Sequence, residues 1–206
     1  ARRTDPGQEA QDQMDTPNTD ARKSLLDTID RMVQDGDNRD AIIKEAADGL
    51  RSATNLNLIF VMIRDDDQPT LRMCYASLGD YERRQIRDSV DLALRSVKVE
   101  LGDEPMLTTF FRHGQLAQLE SIHEVAELAR AIAPKERIGA MAADAVRNQG
   151  IGYACVMPIL AGEDIQGVLI ATRYGHKPLP HEDSALVQAI AALMGPALAN
   201  GGSSAR

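Results

Sequence analysis

The chain has 206 residues, of which 43% are hydrophobic, so it is long enough for one domain with a substantial core. Its 31 Asp and Glu outnumber its 23 Lys and Arg, and this net charge of −8 argues against nucleic acid or an anionic membrane surface as a partner. No apolar run approaches the roughly 20 residues that span a bilayer, and the two cysteines have neither metal-binding nor disulfide spacing, so we expect a cytoplasmic protein with no evident cofactor.

The ends of the chain differ in composition from its centre. Residues 1–20 are rich in Gln, Asp and Pro and have almost nothing to bury, which predicts a flexible tail or linker. Residues 201–206 are small and polar, and we expect a second tail there. Residues 21–200 carry the hydrophobic periodicities and are interpreted as a single domain.

The first half of that domain alternates between helix and strand patterns. From about Thr19 apolar residues recur at helical spacing, and Asn38 is a candidate N-cap for a second helix. Residues 56–64 and 70–77 have strand patterns on either side of a turn that contains three aspartates and a proline, which predicts a hairpin. Residues 80–98 return to helical spacing, with arginines on the side away from the apolar stripe.

Short elements are predicted in the middle of the chain. Pro105 has the position of a residue in the first turn of a short helix. Residues 115–120 are interpreted as a short edge strand, and Ser121 with Glu124 has the spacing of a capping box for the helix that follows. Pro134 is expected to break that helix into two segments.

The last third predicts a hairpin followed by a helix. Residues 153–160 are apolar on both alternating faces, which is typical of a strand covered on two sides. A four-residue turn leads to an antiparallel strand at residues 166–174, in which Gly167 marks a bulge or a close backbone approach. An acidic, Ala- and Leu-rich helix begins near His181.

This order of features resembles the C-terminal half of a GAF domain. In that family a strand with a proline is followed by a polar turn, a strand with a glycine and an acidic helix start, and Pro158, Gly167 and Asp183 occupy those places here. The resemblance implies an α+β fold with a central antiparallel sheet of five to six strands and helices on both faces, which the order of predicted elements also favours. It further implies that residues 79–149 cover one sheet face and enclose a small-molecule pocket, while the first, second and last helices pack on the other face.

The pocket that the resemblance implies is expected to hold a small ligand. The chain has no Trp, three Phe and four Tyr, so a large planar ligand would find little aromatic surface on which to stack. An arginine there would favour a carboxylate or another small anion. The expected ligand-binding residues are Phe60, Met62, Tyr75, Phe111, Tyr153 and Met157, with Arg112, His113 and His123 as polar or cationic anchors. The competing reading is that these side chains fill a core.

No catalytic or phosphate-binding motif is present, which favours a non-catalytic sensory or regulatory domain within a signalling protein. Two alternatives stay open. Some GAF relatives are thiol enzymes that reduce free methionine sulfoxide, and a thiol- or heme-linked redox protein is therefore possible. Cys74 and Cys155 both lie in predicted strands, however, where burial suppresses the reactive thiolate. The second alternative is a pure dimerisation module whose pocket is filled by its own side chains.

A homodimer is expected from the last helix, which is apolar nearly all round. A helix that packs only on a sheet needs one apolar stripe, so a second stripe indicates a second partner. Leu186, Ile190, Leu193 and Met194 are the residues assigned to dimerisation. The alternative is that the first helix covers this stripe within one chain.

Overall fold

The computed structural model describes residues 19–65, 70–79, 97–100, 116–133 and 136–201. Most of the helix predicted over 80–98, the short helix that begins at Pro105 and both predicted tails except for a few residues lie outside these ranges. In chain order the elements are α1 (Thr19–Asp35), α2 (Arg39–Ala53), β1 (Leu58–Arg64), β2 (Thr70–Leu78), β3 (Lys98–Glu100), β4 (Ala117–Leu119), α3 (Ile122–Ala131), α4 (Glu136–Gln149), β5 (Tyr153–Ala161), β6 (Asp164–Arg173) and α5 (His181–Gly201).

The strands form one antiparallel sheet of six strands in the order β3-β2-β1-β6-β5-β4. Both predicted hairpins are present, and β4 is the edge strand that the sequence predicted. The fold is therefore the α+β class with an antiparallel sheet and helices on both faces. None of the described helices combines the length and the apolar character that crossing a bilayer requires.

Local sequence signals fix where two helices begin. The Asn38 side chain accepts a hydrogen bond of 2.8 Å from the Asp40 amide, which caps α2 as predicted. At α3, the Ser121 hydroxyl accepts from the Glu124 amide, while the Glu124 carboxylate accepts from the Ser121 amide. This reciprocal pair is the capping box that the spacing predicted.

The sheet separates two apolar cores, and we name its faces after the helices that cover them. The terminal-helix face is covered by α1, α2 and α5, and the middle face carries α3 and α4. Side chains alternate between the faces along each strand. On β1, for example, Ile59, Val61 and Ile63 belong to the terminal-helix core, whereas Leu58, Phe60 and Met62 belong to the middle core.

A β-bulge on β2 interrupts this alternation. Val61 pairs with Tyr75 and Met62 pairs with Met73, so Cys74 is an extra residue on β2. Tyr75 consequently lies on the terminal-helix face, although strict alternation from Met73 would place it on the middle face. This bulge was not predicted from the sequence.

Two glycines allow backbones to approach closely. A Cβ at Gly167 would overlap the carbonyl oxygen of Met62 on the neighbouring strand, which confirms the prediction of a close approach at this position. A Cβ at Gly195 would overlap the carbonyl oxygen of Leu160, so α5 lies directly against the end of β5. These contacts set the spacing within the sheet and between the sheet and α5.

Candidate functional site

The middle face has an apolar floor built by the two central strands. Phe60 and Met62 project from β1, and Val168 and Ile170 project beside them from β6, since Phe60 pairs with Ile170 and Met62 with Val168. Phe60 is only partly buried, whereas the other three are almost fully covered. Two of the predicted ligand-binding residues therefore lie side by side on the predicted face.

Thr172 provides a polar group on this floor. It follows Ile170 by two positions on β6 and pairs with Leu58 and with Ala154, both of which belong to the middle core, so its side chain lies on the same face. Thr172 is only 6% exposed, and its hydroxyl has no hydrogen-bond partner among the described residues. Buried polar groups are nearly always hydrogen-bonded, so an orphaned hydroxyl indicates a place where a missing partner belongs.

Thr172 is not among the residues predicted to bind ligand, and three of the predicted residues lie on the opposite face of the sheet. Tyr75, Tyr153 and Met157 pack on the terminal-helix core and not on the middle face. Tyr75 is turned by the bulge on β2. Tyr153 and Met157 follow the alternation of β5, whose opposite face carries Ala154 and Val156. Because β5 is apolar on both faces, its sequence gave no sign of which set faces which core.

Tyr75 has a structural partner on the terminal-helix face. Its hydroxyl donates to Oδ2 of Asp48 at 2.9 Å, and the buried Ser77 hydroxyl donates to Oδ1 of the same carboxylate at 2.6 Å. Lys44 Nζ donates to Oδ2 at 2.8 Å. Partial burial alone would raise the pKa of Asp48, but these hydrogen bonds outweigh it and lower the pKa. The cluster attaches α2 to β2.

Of the three predicted anchors, His123 alone falls in the described residues. It is exposed in the first turn of α3, so it does not supply a buried contact to the floor. Phe111, Arg112 and His113 lie outside the described residues, and their proposed roles stay predictions.

Both cysteine thiols have raised pKa values, so little of the reactive thiolate forms at neutral pH. Burial raises the pKa of the Cys155 thiol to about 12. Cys74 is half-buried, and burial together with the neighbouring Asp40 carboxylate raises its pKa as well. A thiolate nucleophile requires a lowered pKa and access to solvent, and neither site provides that combination.

The residues assigned to dimerisation have partners within the chain. Leu186, Ile190 and Met194 are buried in the terminal-helix core, where α5 contacts the sheet, α1 and α2, and Leu193 is only partly covered. The assignment of the three buried residues to an intermolecular surface was wrong, because α1 and α2 cover the second apolar stripe of α5. Among the described residues, Met141 at 60% is the exposed large hydrophobic side chain. Self-association itself stays a prediction.

A buried ion pair joins α1 to α5. Arg22 Nη2 donates to Oδ1 of Asp183 at 2.5 Å, and Nη1 donates to the exposed Glu182. Burial raises the pKa of Asp183, and the Arg22 charge opposes this shift without cancelling it. Arg22 Nε and Asp183 Oδ2 have no hydrogen-bond partner among the described residues. In the sequence, Asp183 is recognisable only as an acidic residue at the start of a helix.

Other features of the described residues do not point to a second site. A cleft of about 170 Å³ is lined in part by Ile63, Arg64 and Leu198, and another of about 460 Å³ lies between the α1–α2 turn and the end of α5. Neither lining includes a residue predicted to bind ligand. No cluster of three or more His, Cys, Asp or Glu that would suit a metal ion occurs in the described ranges.

A family model described as GAF domain matches residues 38–198. The match includes both hairpins, residues 79–149 and most of α5, so it extends well beyond the C-terminal features that carry the resemblance. No curated protein matches the sequence closely enough to count as a relative.

Solved structures of low sequence identity share the fold. The GAF domain from an Acinetobacter phosphoenolpyruvate-protein phosphotransferase is 9% identical, with 89% of this chain and 95% of that chain covered and a TM-score of 0.65. The corresponding domain from Coxiella burnetii is 13% identical, with coverages of 90% and 97% and a TM-score of 0.63. Free methionine-R-sulfoxide reductase from Neisseria meningitidis, solved with its substrate, is 12% identical, with coverages of 92% and 96% and a TM-score of 0.60.

Proposed function

The chain belongs to the GAF domain family, and from this premise we propose that it is a non-catalytic sensory domain that binds a small molecule on the middle face of its sheet. The orphaned hydroxyl of Thr172 is the observation that carries the proposal. It lies near the end of the central strand β6, opposite Leu58 of β1 and two positions from Ile170, on the face away from the terminal helices.

The cost of the orphaned hydroxyl supports a bound partner. A buried hydroxyl that loses its hydrogen bonds to water without gaining others costs about 1–3 kcal/mol. Valine has nearly the same shape as threonine and would fill the same space at position 172 without the cost of a buried, unpaired hydroxyl. A ligand that donates to or accepts from Thr172 Oγ1 would recover the lost hydrogen bond. This reasoning favours a binding site over a dimerisation module with a completely filled pocket.

The floor also limits the chemistry of the ligand. Phe60, Met62, Val168 and Ile170 offer apolar contact, and Thr172 offers one hydrogen-bonding group. We expect a small molecule that is partly apolar and carries a hydrogen-bonding group. The proposal that a carboxylate is held by Arg112 rests on sequence alone.

The alternative of a thiol enzyme is not favoured. One structure with the same fold is a reductase of free methionine sulfoxide, but the likeness at 12% identity extends only to the fold. The raised pKa values of Cys74 and Cys155 oppose nucleophilic thiol chemistry at neutral pH.

A thermal-shift screen of small acids, amino acids and nucleotides tests the proposal. A ligand at about 100 times its dissociation constant adds about 2.7 kcal/mol of stability. We expect at least one compound to raise the midpoint of the wild type and to lose most of that effect in Thr172→Val. Thr54→Val is the matched control, because Thr54 is also buried but its hydroxyl donates to the Leu50 carbonyl. A shift that is equal in both variants, or no shift with any compound, would contradict the proposed site.

A further inference from the structure

Helix α1 buries fewer residues than α2 and, unlike α2 and α5, does not lie on the sheet. Its 17 residues bury three side chains, Arg22, Leu25 and Ile29. Its main contacts within the described chain are with α2 and α5, and no strand is among them. By contrast, α2 buries six residues and lies on β1 and β2, while α5 lies on β5 and β6. The contacts that hold α2 and α5 on the sheet therefore do not pass through α1.

One of the three buried side chains of α1 is charged. Arg22 and Asp183 are the buried charged residues of the described chain, and they join helices 161 positions apart in sequence. A buried ion pair stabilises strongly only when all of its hydrogen-bonding groups are satisfied. Here Arg22 Nε and Asp183 Oδ2 are left without partners. The pair therefore specifies where α1 lies without holding it as firmly as apolar residues of the same size would.

The apolar contact between α1 and α2 is especially close at one position. Leu25 packs over Gly49 of α2 so closely that a Cβ at that position would overlap the Leu25 side chain. The absence of a side chain at residue 49 is thus what lets α1 approach α2. Gly49 lies inside a helix, where glycine is less favourable than alanine by about a factor of five in the local equilibrium.

From these observations we infer that α1 is a detachable strap: it can leave the terminal-helix face, with the Arg22–Asp183 pair as its latch, while α2, α5 and the sheet remain folded. Detachment would uncover the apolar surface of α2 and α5 on which α1 lies. The inference is independent of the ligand site, since Thr172 is on the opposite face of the sheet.

Hydrogen exchange of the native protein, followed by mass spectrometry, tests the strap. Amides of α1 are expected to exchange at least about tenfold faster than the most protected amides of α2 and α5. Arg22→Gln should accelerate exchange in α1 by a further tenfold to hundredfold or so, because a charge-assisted hydrogen bond is lost, and should leave α2 and the part of α5 beyond its first turn nearly unchanged. Arg31→Gln is the matched control, since Arg31 is exposed on the same helix and has no ion pair in the described structure.

A second variant tests the same idea through packing. Gly49→Ala is expected to accelerate exchange in α1, because Leu25 loses its place, and to slow exchange within α2, because alanine favours the helix. Opposite responses in two contacting helices would not occur if the helices opened as one unit. Exchange of α1 at the same rate as α2 and α5 in the wild type would overturn the inference, and so would an equal response of all three helices to Arg22→Gln or to Gly49→Ala.

Discussion

Replacing Thr172 by valine is expected to stabilise the ligand-free protein. Valine replaces the hydroxyl by a methyl group of similar size and is equally suited to a β-strand, so packing and backbone preference change little. Thr172 is only 6% exposed, and its hydroxyl is buried and has no partner in the described chain. Removing that unsatisfied group should raise the free energy of unfolding by about 1 kcal/mol, the lower end of its estimated cost.

The same substitution at Thr54 should have the opposite sign. The Thr54 hydroxyl donates to the Leu50 carbonyl at 2.6 Å and accepts from the Leu56 amide at 3.2 Å, and all of these groups are buried. Valine would leave the Leu56 amide unsatisfied, so Thr54→Val should lower the free energy of unfolding by about 1–3 kcal/mol.

Urea unfolding at neutral pH measures both effects. The proteins should first be unfolded and refolded, so that no ligand acquired during expression remains. With a slope of about 1–3 kcal/mol per molar urea, the midpoint should rise by roughly 0.3–1 M for Thr172→Val and should fall by at least as much for Thr54→Val. If Thr172→Val lowers the midpoint as Thr54→Val does, the Thr172 hydroxyl has a partner in the free protein, and the reasoning from an orphaned group fails.

Four further outcomes are expected. A thiol reagent at neutral pH should label Cys155 only slowly, because burial holds its pKa at about 12, and rapid stoichiometric labelling in the native state would contradict the burial argument. Gly195→Ala should lower the free energy of unfolding by about 1–3 kcal/mol, because the added Cβ would overlap the Leu160 carbonyl; a neutral result in urea unfolding would mean that α5 can shift freely. The raised pKa of Asp183 means that its contribution to stability is complete below the unfolded pKa of about 3.9 and is lost as pH rises through the folded value. The stability of Asp183→Asn relative to the wild type should therefore increase from pH 4 to pH 7, and a decrease would reverse the assigned direction. If the chain forms a dimer through the partly covered Leu193, Leu193→Glu should convert it to a monomer in sedimentation, whereas a wild-type monomer at tens of micromolar would exclude the dimer.

Local signals in the sequence predicted local structure well. The cap at Asn38 and the capping box at Ser121 depend on residues two or three positions apart, so the sequence carries all the information that they need. The final hairpin follows from its turn and from two apolar strands, and the close approach at Gly167 follows from a single missing side chain.

Features that depend on distant residues were not predictable in the same way. Strand β3 has three residues, too few for a periodicity, and exists through its pairing with β2. The bulge at Cys74 reverses the face of Tyr75 and leaves no mark in the alternation of side chains. The apolar surface of α5 predicted a partner correctly, but the sequence could not distinguish a second chain from α1.

The candidate site also contains some residues whose position the sequence predicted and others whose position depends on distant parts of the chain. Phe60 and Met62 lie on the predicted face, and the regular alternation of β1 puts both on the same side of the sheet. Tyr153 and Met157 were misplaced because a strand buried on both faces gives no sign of which side faces which helices. Thr172 was recognisable in the sequence only as one hydroxyl after four consecutive apolar residues, and its significance depends on a missing hydrogen bond that only a structure can reveal.

The most direct test of ligand binding is an NMR titration of the wild-type protein, labelled at its methyl groups, with a compound selected by the thermal-shift screen. A ligand on the middle face should shift the methyl signals of Met62, Val168, Ile170 and Thr172 in a saturable way and leave those of Ile43 and Ile190, buried on the terminal-helix face, nearly unchanged. Saturable shifts confined to the terminal-helix methyl groups, or no saturable shift with any compound of the screen, would contradict the proposal that this GAF domain senses a small molecule at Thr172.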